Sequence, residues 1–307
     1  MTYYSNSSEN PKQSDKNQNE SFDSIKRDDW IDINLQEFIP GVQPEIPLNS
    51  TIGIYGRRRS GKSEFAKWML QGLKEEIPWW WTFSQTKHNS FWSAIMPDKF
   101  IIGEFNAEVL GQIRQRQVEA LDLYTAGKIE NPHACIMWDD YCGNDVRYNQ
   151  ALERYYYHGR HFGALNLFLA QYLKLTPPAI RSNTEMAVLF NTDYGDSVKD
   201  YHNDFASKMP WKQFQWLFRE KCEKVKHGFL AIVSDKPYDE DKFYYGVAEL
   251  LPVTLDQIVG CEEFWKGSEK QLRSIGDGSM QKKFDMLKLL GEPKAVKVNA
   301  KPAYQIR

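Results

Sequence analysis

Residues 51–74 read TIGIYGRRRSGKSEFAKWMLQGLK, and they contain the most specific motif of the chain. An apolar, strand-like run, Thr51–Tyr55, ends at a glycine, and helical periodicity begins at about residue 62. Between them, residues 56–63 (GRRRSGKS) fit the pattern GxxxxGK[ST]. In that pattern backbone amides at a strand end curl around a phosphate that faces the N-terminus of the next helix. The sequence therefore predicts a phosphate-binding loop.

The residues of this loop each suit one task in binding a nucleotide. Gly56 and Gly61 permit the tight turn, because glycine tolerates backbone angles that other residues avoid. Lys62 can reach the β- and γ-phosphates, and Ser63 can offer its hydroxyl to Mg²⁺. We therefore predict ATP and Mg²⁺ as cofactors, with the other loop residues also touching the nucleotide: Arg57, Arg58, Arg59 and Ser60.

The three consecutive arginines, Arg57, Arg58 and Arg59, are unusual occupants of such a loop. Two interpretations stay open at this point. Their side chains point into solvent, or they contact a phosphate or a neighbouring subunit.

A second motif, CIMWDD at residues 135–140, places two acids at the end of an apolar run. We expect the strand to carry Asp139 to the magnesium shell and Asp140 to the position of a general base that polarises the attacking water. The separation of about 75 residues from the phosphate loop leaves room for two crossovers. The alternative is a strand that simply runs into an acidic turn.

A further apolar run, LNLFLAQ at residues 165–171, ends in a polar amide. Some ATPases have an additional strand between the phosphate-loop strand and the acidic strand. A strand in that region ends in a polar residue that senses the γ-phosphate or positions the attacking water. Gln171 fits that role. An ordinary polar strand terminus is the alternative.

Arg160 and Arg181 flank this run, on expected loops at the same sheet edge. An ATPase that works as a ring needs an arginine supplied across the subunit boundary. Both residues are candidates for that arginine, with Arg160 slightly favoured. For each, a surface salt bridge is the alternative interpretation.

The rest of the chain indicates an α/β fold, in which strands alternate with helices around a mainly parallel central sheet. We divide the chain into a disordered acidic head (1–28), an extended lead-in (29–50), the catalytic domain (51–265) and a basic tail (266–307). Further strands are predicted at 79–83, 100–105, 134–138, 165–170, 186–190, 229–234 and 243–247. Helices are predicted at 107–127 and 145–158, and helical material is predicted after the strand at 186–190 up to about residue 221.

Composition excludes a chain that is disordered throughout, because 43 of the 307 residues are aromatic. The net charge of −2 conceals an uneven distribution: nine acids and four bases in residues 1–50, against ten bases and four acids in residues 266–307. The four cysteines form no CxxC pair, which favours free thiols in a reducing compartment. The polar N-terminus and the lack of a long apolar run predict a soluble, non-secreted protein without a membrane span.

Three segments together resemble one family: GIYGRRRSGKSEFAKWML, IMWDDY and GRHFGALNLFLAQYLKLTPPAIRSN. They are similar to the genome-packaging ATPases of large double-stranded DNA viruses, of the poxvirus, giant-virus and virophage type, within the FtsK/HerA superfamily of P-loop ATPases. The resemblance covers roughly residues 50–235. The phosphate loop of this chain departs from the family pattern, because the family commonly has small residues at the positions of the three arginines.

The resemblance implies a P-loop NTPase fold of the RecA/ASCE type and ATP-driven movement of double-stranded DNA into a preformed capsid. It implies the roles given above for Lys62, Ser63, Asp139, Asp140 and Gln171, and it carries Arg160 and Arg181 over as candidates only. Further implied partners are the other subunits of a homo-oligomeric ring, a pentamer or hexamer, and a capsid protein. The implied location is the host cytoplasm or virus assembly site, with association with the virion as a variant.

Three alternatives stay open on the sequence. One is a P-loop kinase of a nucleoside or small metabolite, which needs an arginine-bearing lid and no additional strand ending in Gln171. Another is a nucleotide-binding scaffold without turnover. The third is a plasmid- or chromosome-segregating pump of the same superfamily, which usually carries membrane spans or a large extra domain.

Overall fold

A central β-sheet dominates the computed structural model, which describes residues 29–85, 91–140, 149–150, 152–153, 155, 159–193, 195–248 and 255–277. Within these residues the sheet has nine strands, in the order β1-β9-β8-β7-β2-β6-β5-β3-β4. In chain order they are β1 (Leu35–Glu37), β2 (Thr51–Tyr55), β3 (Trp79–Ser84), β4 (Ile101–Ile102), β5 (Ala134–Asp139), β6 (Ala164–Ala170), β7 (Met186–Phe190), β8 (Gly228–Val233) and β9 (Phe243–Val247).

Helices join many of these strands. Those in the described part of the chain are α1 (Lys62–Leu73), α2 (Ala107–Thr125), α3 (Pro178–Ser182), α4 (Gly195–Phe205), α5 (Trp211–Phe218), α6 (Glu262–Trp265) and α7 (Glu269–Gly276). A π-helical turn, Arg219–Glu223, extends α5. As far as the described residues go, none of the helices combines the length and apolar character needed to cross a bilayer.

Both faces of the sheet are buried, which explains why its strands are apolar runs rather than alternating ones. On one face Ile52 and Ile54 of β2 pack in a cluster with Phe65 of α1. On the other face Tyr55 packs in a separate cluster with Tyr201 of α4. The predicted α/β fold with a mainly parallel sheet is therefore confirmed.

The departure from parallel pairing is β8, which is antiparallel to both of its neighbours, β7 and β9. The connection from β7 to β8 contains two helices, α4 and α5, and it returns the chain to the sheet edge at which β7 ends. The chain turns into β8 at His227, whose φ is 60°, and the Gly228 amide donates to the Val225 carbonyl at 3.0 Å. A short loop then joins β8 to β9.

β6 lies between β2 and β5, in parallel register with both. The register aligns Tyr55 with Ala170, and Asp139 with Leu169. Because carboxyl ends of parallel strands meet at one edge, the residues that follow these three strands are neighbours there. The additional strand predicted between the phosphate loop and the acidic strand is thus present.

The lead-in, residues 29–50, contributes an edge strand to the sheet. β1 pairs in parallel with β9, and Phe38 is buried against Phe65 and Phe229. Packed structure also continues beyond the domain end predicted at residue 265, because Ile275 of α7 is buried in the core. The predicted head (1–28) and residues 278–307 of the predicted tail lie outside the described residues.

Element boundaries were predicted to within about two residues except in three places. The helical stretch predicted to run to about residue 221 is two helices, α4 and α5, because the chain is interrupted at 206–210 and Pro210 is the N-cap of α5. The strand predicted at 100–105 is only β4 (Ile101–Ile102), because a 3-10 turn, Asp98–Phe100, precedes it. The chain must then leave the sheet to reach Asn106, whose side chain caps α2 by accepting from the Glu108 amide at 2.8 Å. The helix predicted at 145–158 falls largely outside the described residues.

Candidate active site

The phosphate loop connects β2 to α1, and its glycines are required by its geometry. Gly56 has φ of 155° and Gly61 has φ of 112°, values that side chains rarely allow. A Cβ added at Gly56 would lie 2.5 Å from Cβ of Phe190 on β7. The loop is also tied to β7's end, where the Arg57 amide donates to the Asn191 carbonyl at 3.0 Å. Only glycine fits at position 56 without displacing β7.

Lys62, the first residue of α1, folds its side chain back across the loop. Its Nζ donates to the carbonyl oxygens of Gly56 at 2.8 Å and Arg57 at 3.1 Å, and the residue is 6% exposed. A buried ammonium bonded to two loop carbonyls is held at the centre of the loop. This is the position from which it can exchange a carbonyl for a phosphate oxygen.

The three loop arginines have exposed side chains, so the solvent-facing interpretation describes this conformation. Arg57 also forms an ion pair with Asp193, just beyond β7. Arg59 adopts a left-handed backbone with φ of 63°, which is unfavourable for a residue with a side chain. Contact of these arginines with a phosphate or a neighbouring subunit stays a prediction.

Asp139 is the last residue of β5 and is 8% exposed. Two side chains donate to its Oδ2, Trp92 Nε1 at 2.7 Å and Ser84 Oγ at 3.4 Å. Burial, and after it the charge of Asp140, raises the pKa of this carboxyl to a net value of about 6. The bond from Trp92 and the nearby Lys62 ammonium act in the opposite direction. Asp139 and Lys62 therefore interact across the carboxyl edge of the sheet.

Asp140 follows β5 in a left-handed conformation with φ of 49°. Its amide donates to the Leu169 carbonyl at 3.1 Å, which pins the residue to the end of β6. Its Oδ2 accepts from Gln171 Nε2 at 3.3 Å, while Oδ1 is buried with no donor among the described residues. A strained residue with an unsatisfied buried carboxylate oxygen is typical of a functional site, because such an arrangement costs stability.

The donor chemistry of this edge suits a magnesium ion shared with a nucleotide. Asp139 supplies a carboxylate and Ser63 a half-buried hydroxyl, and Mg²⁺ prefers such hard oxygen ligands. The described residues contain no cluster of three or more His, Cys, Asp or Glu side chains that could hold a metal alone. One carboxylate, one hydroxyl and phosphate oxygens form the kind of set that Mg²⁺ uses in nucleotide sites.

The two candidate arginines lie away from this edge. Arg181 belongs to helix α3 and not to the loop we expected, because Pro178 starts a short helix there. Its guanidinium pairs with Asp204 of α4 at 3.0 Å. α3 ends near the start of β2, where the Glu185 amide donates to the Thr51 carbonyl at 2.9 Å. The five residues of β2 span about 16 Å, so Arg181 lies at the edge opposite its own phosphate loop.

Arg160 lies in a 3-10 turn, Gly159–Phe162, shortly before β6 begins. Its backbone is therefore also at the amino edge of the sheet, and its side chain lies outside the described residues. Both arginines stay predicted candidates for an arginine that acts on the nucleotide of a neighbouring subunit.

Two residues of the site were not predicted from the sequence, Trp92 and Ser84. Ser84 had a usable signal, because it ends β3, the strand beside β5, and is paired with Asp139 in register. Trp92 had none, since it lies in a turn between elements and 47 positions from its acceptor.

No protein-family model matches the chain. In sequence it is 27% identical over 227 residues to "Uncharacterized protein 075L" of Invertebrate iridescent virus 6, covering 70% of this chain and 83% of the relative. It is 26% identical over 249 residues to "Uncharacterized protein 015R" of Frog virus 3 (isolate Goorha), covering 78% and 72%. In structure it is similar to B204, the DNA-packaging ATPase of Sulfolobus turreted icosahedral virus, with 16% identity, a TM-score of 0.46 and coverage of 67% and 100%.

The phosphate loop connects β2 to α1, and the two acids lie at the end of β5. The additional strand β6 lies between β2 and β5. This is the arrangement of a P-loop NTPase. The chain thus has a P-loop NTPase fold and is similar in sequence to proteins of Invertebrate iridescent virus 6 and Frog virus 3.

Proposed function

We propose that this protein is an ATP-hydrolysing motor that moves double-stranded DNA into a preformed viral capsid. One observation supports the hydrolytic part above all. Lys62, the pair Asp139 and Asp140, and Gln171 come from three separate segments, and the fold gathers these residues at the carboxyl edge of three adjacent parallel strands.

Each side chain has a defined task in this proposal. The Lys62 ammonium binds the β- and γ-phosphates in place of the loop carbonyls that it holds now. Ser63 and Asp139 would hold Mg²⁺, which when bound neutralises charge on the phosphates. Asp140 accepts a proton from the attacking water, because its buried Oδ1 lacks a donor and is therefore ready to accept one.

Gln171 links the acid to the phosphate in this mechanism. Its amide donates to Asp140 Oδ2 here, and the same amide has the reach to orient the attacking water between the two residues. The position of this side chain would depend on whether the γ-phosphate is present, and a change in its position would be transmitted to the carboxyl end of β6. The loop after Gln171 leads directly into α3, so β6 and α3 are the elements that would respond.

The DNA part of the proposal rests on the motif resemblance together with the relatives in Invertebrate iridescent virus 6 and Frog virus 3. The charge distribution is compatible with it: a motor must let DNA slide, so basic charge is needed only along a pore or in a tail. The basic segment 266–307 would hold DNA by releasing counterions, and the head within the acidic segment 1–50 would dock on a capsid protein.

The motor would act as a homo-oligomeric ring of five or six subunits, with ATP bound between subunits and an arginine provided by the neighbour. Arg160 and Arg181 are the candidates for that arginine. The ring would work at the virus assembly site in the host cytoplasm, where it would meet the capsid.

The test compares ATP turnover of the purified chain with and without double-stranded DNA, beside Asp140→Asn. We expect DNA to raise turnover several-fold and Asp140→Asn to bind ATP but not hydrolyse it. Turnover that ignores DNA and follows an added nucleoside or metabolite would support a kinase instead. ATP binding without turnover in the wild type, unchanged by Asp140→Asn, would support a scaffold.

A further inference from the structure

The indole of Trp92 makes the shorter of the two hydrogen bonds to Asp139 Oδ2. The ring is 2% exposed, and its Nε1 donates to the carboxylate at 2.7 Å. Ser84 Oγ donates to the same oxygen at 3.4 Å. Hydrogen bonds to an ionised carboxylate are among the stronger ones in proteins, and burial from water strengthens them further.

The bond from Trp92 restricts how Asp139 can turn. An indole has one donor and no acceptor, so it can neither bind a metal nor change its role when the carboxylate ionises. Two donors on Oδ2 fix the plane of the carboxylate, and coordination of a cation is then left to Oδ1. Partners of this kind, which hold a metal ligand without touching the metal, orient the ligand and tune its affinity.

The turn that carries Trp92 is itself fixed by the rest of the protein. The Trp92 carbonyl accepts from the amides of Ile95 and Met96, each at 3.0 Å. Gln271 of α7 donates its side-chain amide to the carbonyls of Ser93 at 2.8 Å and Met96 at 2.9 Å. The indole is therefore held in place before any nucleotide binds.

We propose that Trp92 is a positioning residue that sets the orientation of Asp139 for the magnesium ion of the bound nucleotide. This inference rests on the proposed nucleotide site and adds to it a residue outside the motifs. Trp92 touches neither the metal nor the phosphates in this proposal. Its effect is expected in the affinity for Mg²⁺ and not in the affinity for the nucleotide alone.

The variant Trp92→Phe removes the N–H donor and keeps an aromatic ring. A matched control is Trp80→Phe, because Trp80 is 1% exposed and its indole donates to the Ile77 carbonyl at 2.8 Å, away from the acids. Calorimetry with a non-hydrolysable ATP analogue is run in EDTA and then across a Mg²⁺ titration. This measurement follows binding and is independent of turnover.

We expect both variants to bind the analogue in EDTA as the wild type does. The apparent Mg²⁺ affinity should fall by about 10- to 100-fold in Trp92→Phe and stay unchanged in Trp80→Phe. Equal Mg²⁺ affinity in the two variants would overturn the inference while leaving the nucleotide site intact. A wild type that binds no nucleotide at all would instead overturn the proposed function.

A second variant decides the matter if Trp92→Phe does not fold. Ser84→Ala removes the longer bond to the same oxygen, so a smaller loss of Mg²⁺ affinity is expected from it. If Ser84→Ala folds and its Mg²⁺ affinity equals that of the wild type, the carboxylate needs no such support and the inference is wrong.

Discussion

The side-chain amide of Gln171 donates to Asp140 Oδ2 at 3.3 Å, across the carboxyl ends of β6 and β5. Each residue follows a different strand, and the pairing of those strands brings the two together. The contact joins the predicted sensor to the predicted general base. A change at either residue is therefore expected to alter hydrolysis more than nucleotide binding.

Gln171→Leu keeps the size of the side chain and removes the amide. We expect kcat to fall by about 100-fold, since loss of one positioning hydrogen-bond donor commonly costs that much. The affinity for the ATP analogue should change by less than about threefold. Gln71→Leu is the control, because that amide donates to the Gln257 carbonyl near the far end of α1. Equal kcat values in the two variants would remove Gln171 from the mechanism.

Lys62→Ala should abolish ATP turnover and leave the fold intact. The side chain bonds to carbonyls of its own loop, so its loss removes the phosphate contact without opening the core. Turnover and the circular dichroism spectrum are the two measurements. Activity retained in a folded variant would show that the phosphate loop is assigned wrongly.

Asp139→Asn should stabilise the metal-free protein at neutral pH. The folded pKa of about 6 lies above the usual value of 3.8, so the stabilising contribution of the protonated carboxyl is complete below about pH 4 and is lost as the pH rises through 6. At pH 7.5 the buried charge costs about 3 kcal/mol, at 1.36 kcal/mol for each unit of pKa shift.

Denaturant unfolding in EDTA measures this effect. Asp139→Asn should raise the free energy of unfolding at pH 7.5, and the gain should shrink toward pH 4. A gain that is the same at both pH values, or a loss at pH 7.5, would contradict the raised pKa.

Arg160→Ala should cripple turnover in the assembled ring, and mixing it with Lys62→Ala subunits should restore part of the activity. Restoration is expected because each variant supplies what its neighbour lacks. If mixing restores nothing and Arg181→Ala behaves this way instead, Arg181 is the arginine in trans. Asp204→Ala is the control for Arg181→Ala, since it breaks the same ion pair and keeps the guanidinium.

The phosphate loop, Asp139, Asp140 and Gln171 could be predicted from the sequence because each lies at or just after the carboxyl end of a strand. The carboxyl ends of adjacent parallel strands lie side by side at one edge of the sheet. Contacts that depend on tertiary packing have no comparable pattern in the sequence. β1 pairs with a strand some 200 positions later, and Trp92 reaches Asp139 from a turn. Arg181 was expected on a loop, whereas the paired prolines before it begin a short helix.

Movement along DNA is the central claim, and displacement of a third strand from a DNA triplex tests it most directly. The assembled protein is incubated with a duplex that carries a labelled triplex-forming strand, with ATP and Mg²⁺. We expect ATP-dependent release of that strand by the wild type and no release by Lys62→Ala. If the wild type hydrolyses ATP in the presence of the duplex and the third strand stays bound, the protein is not a translocating motor.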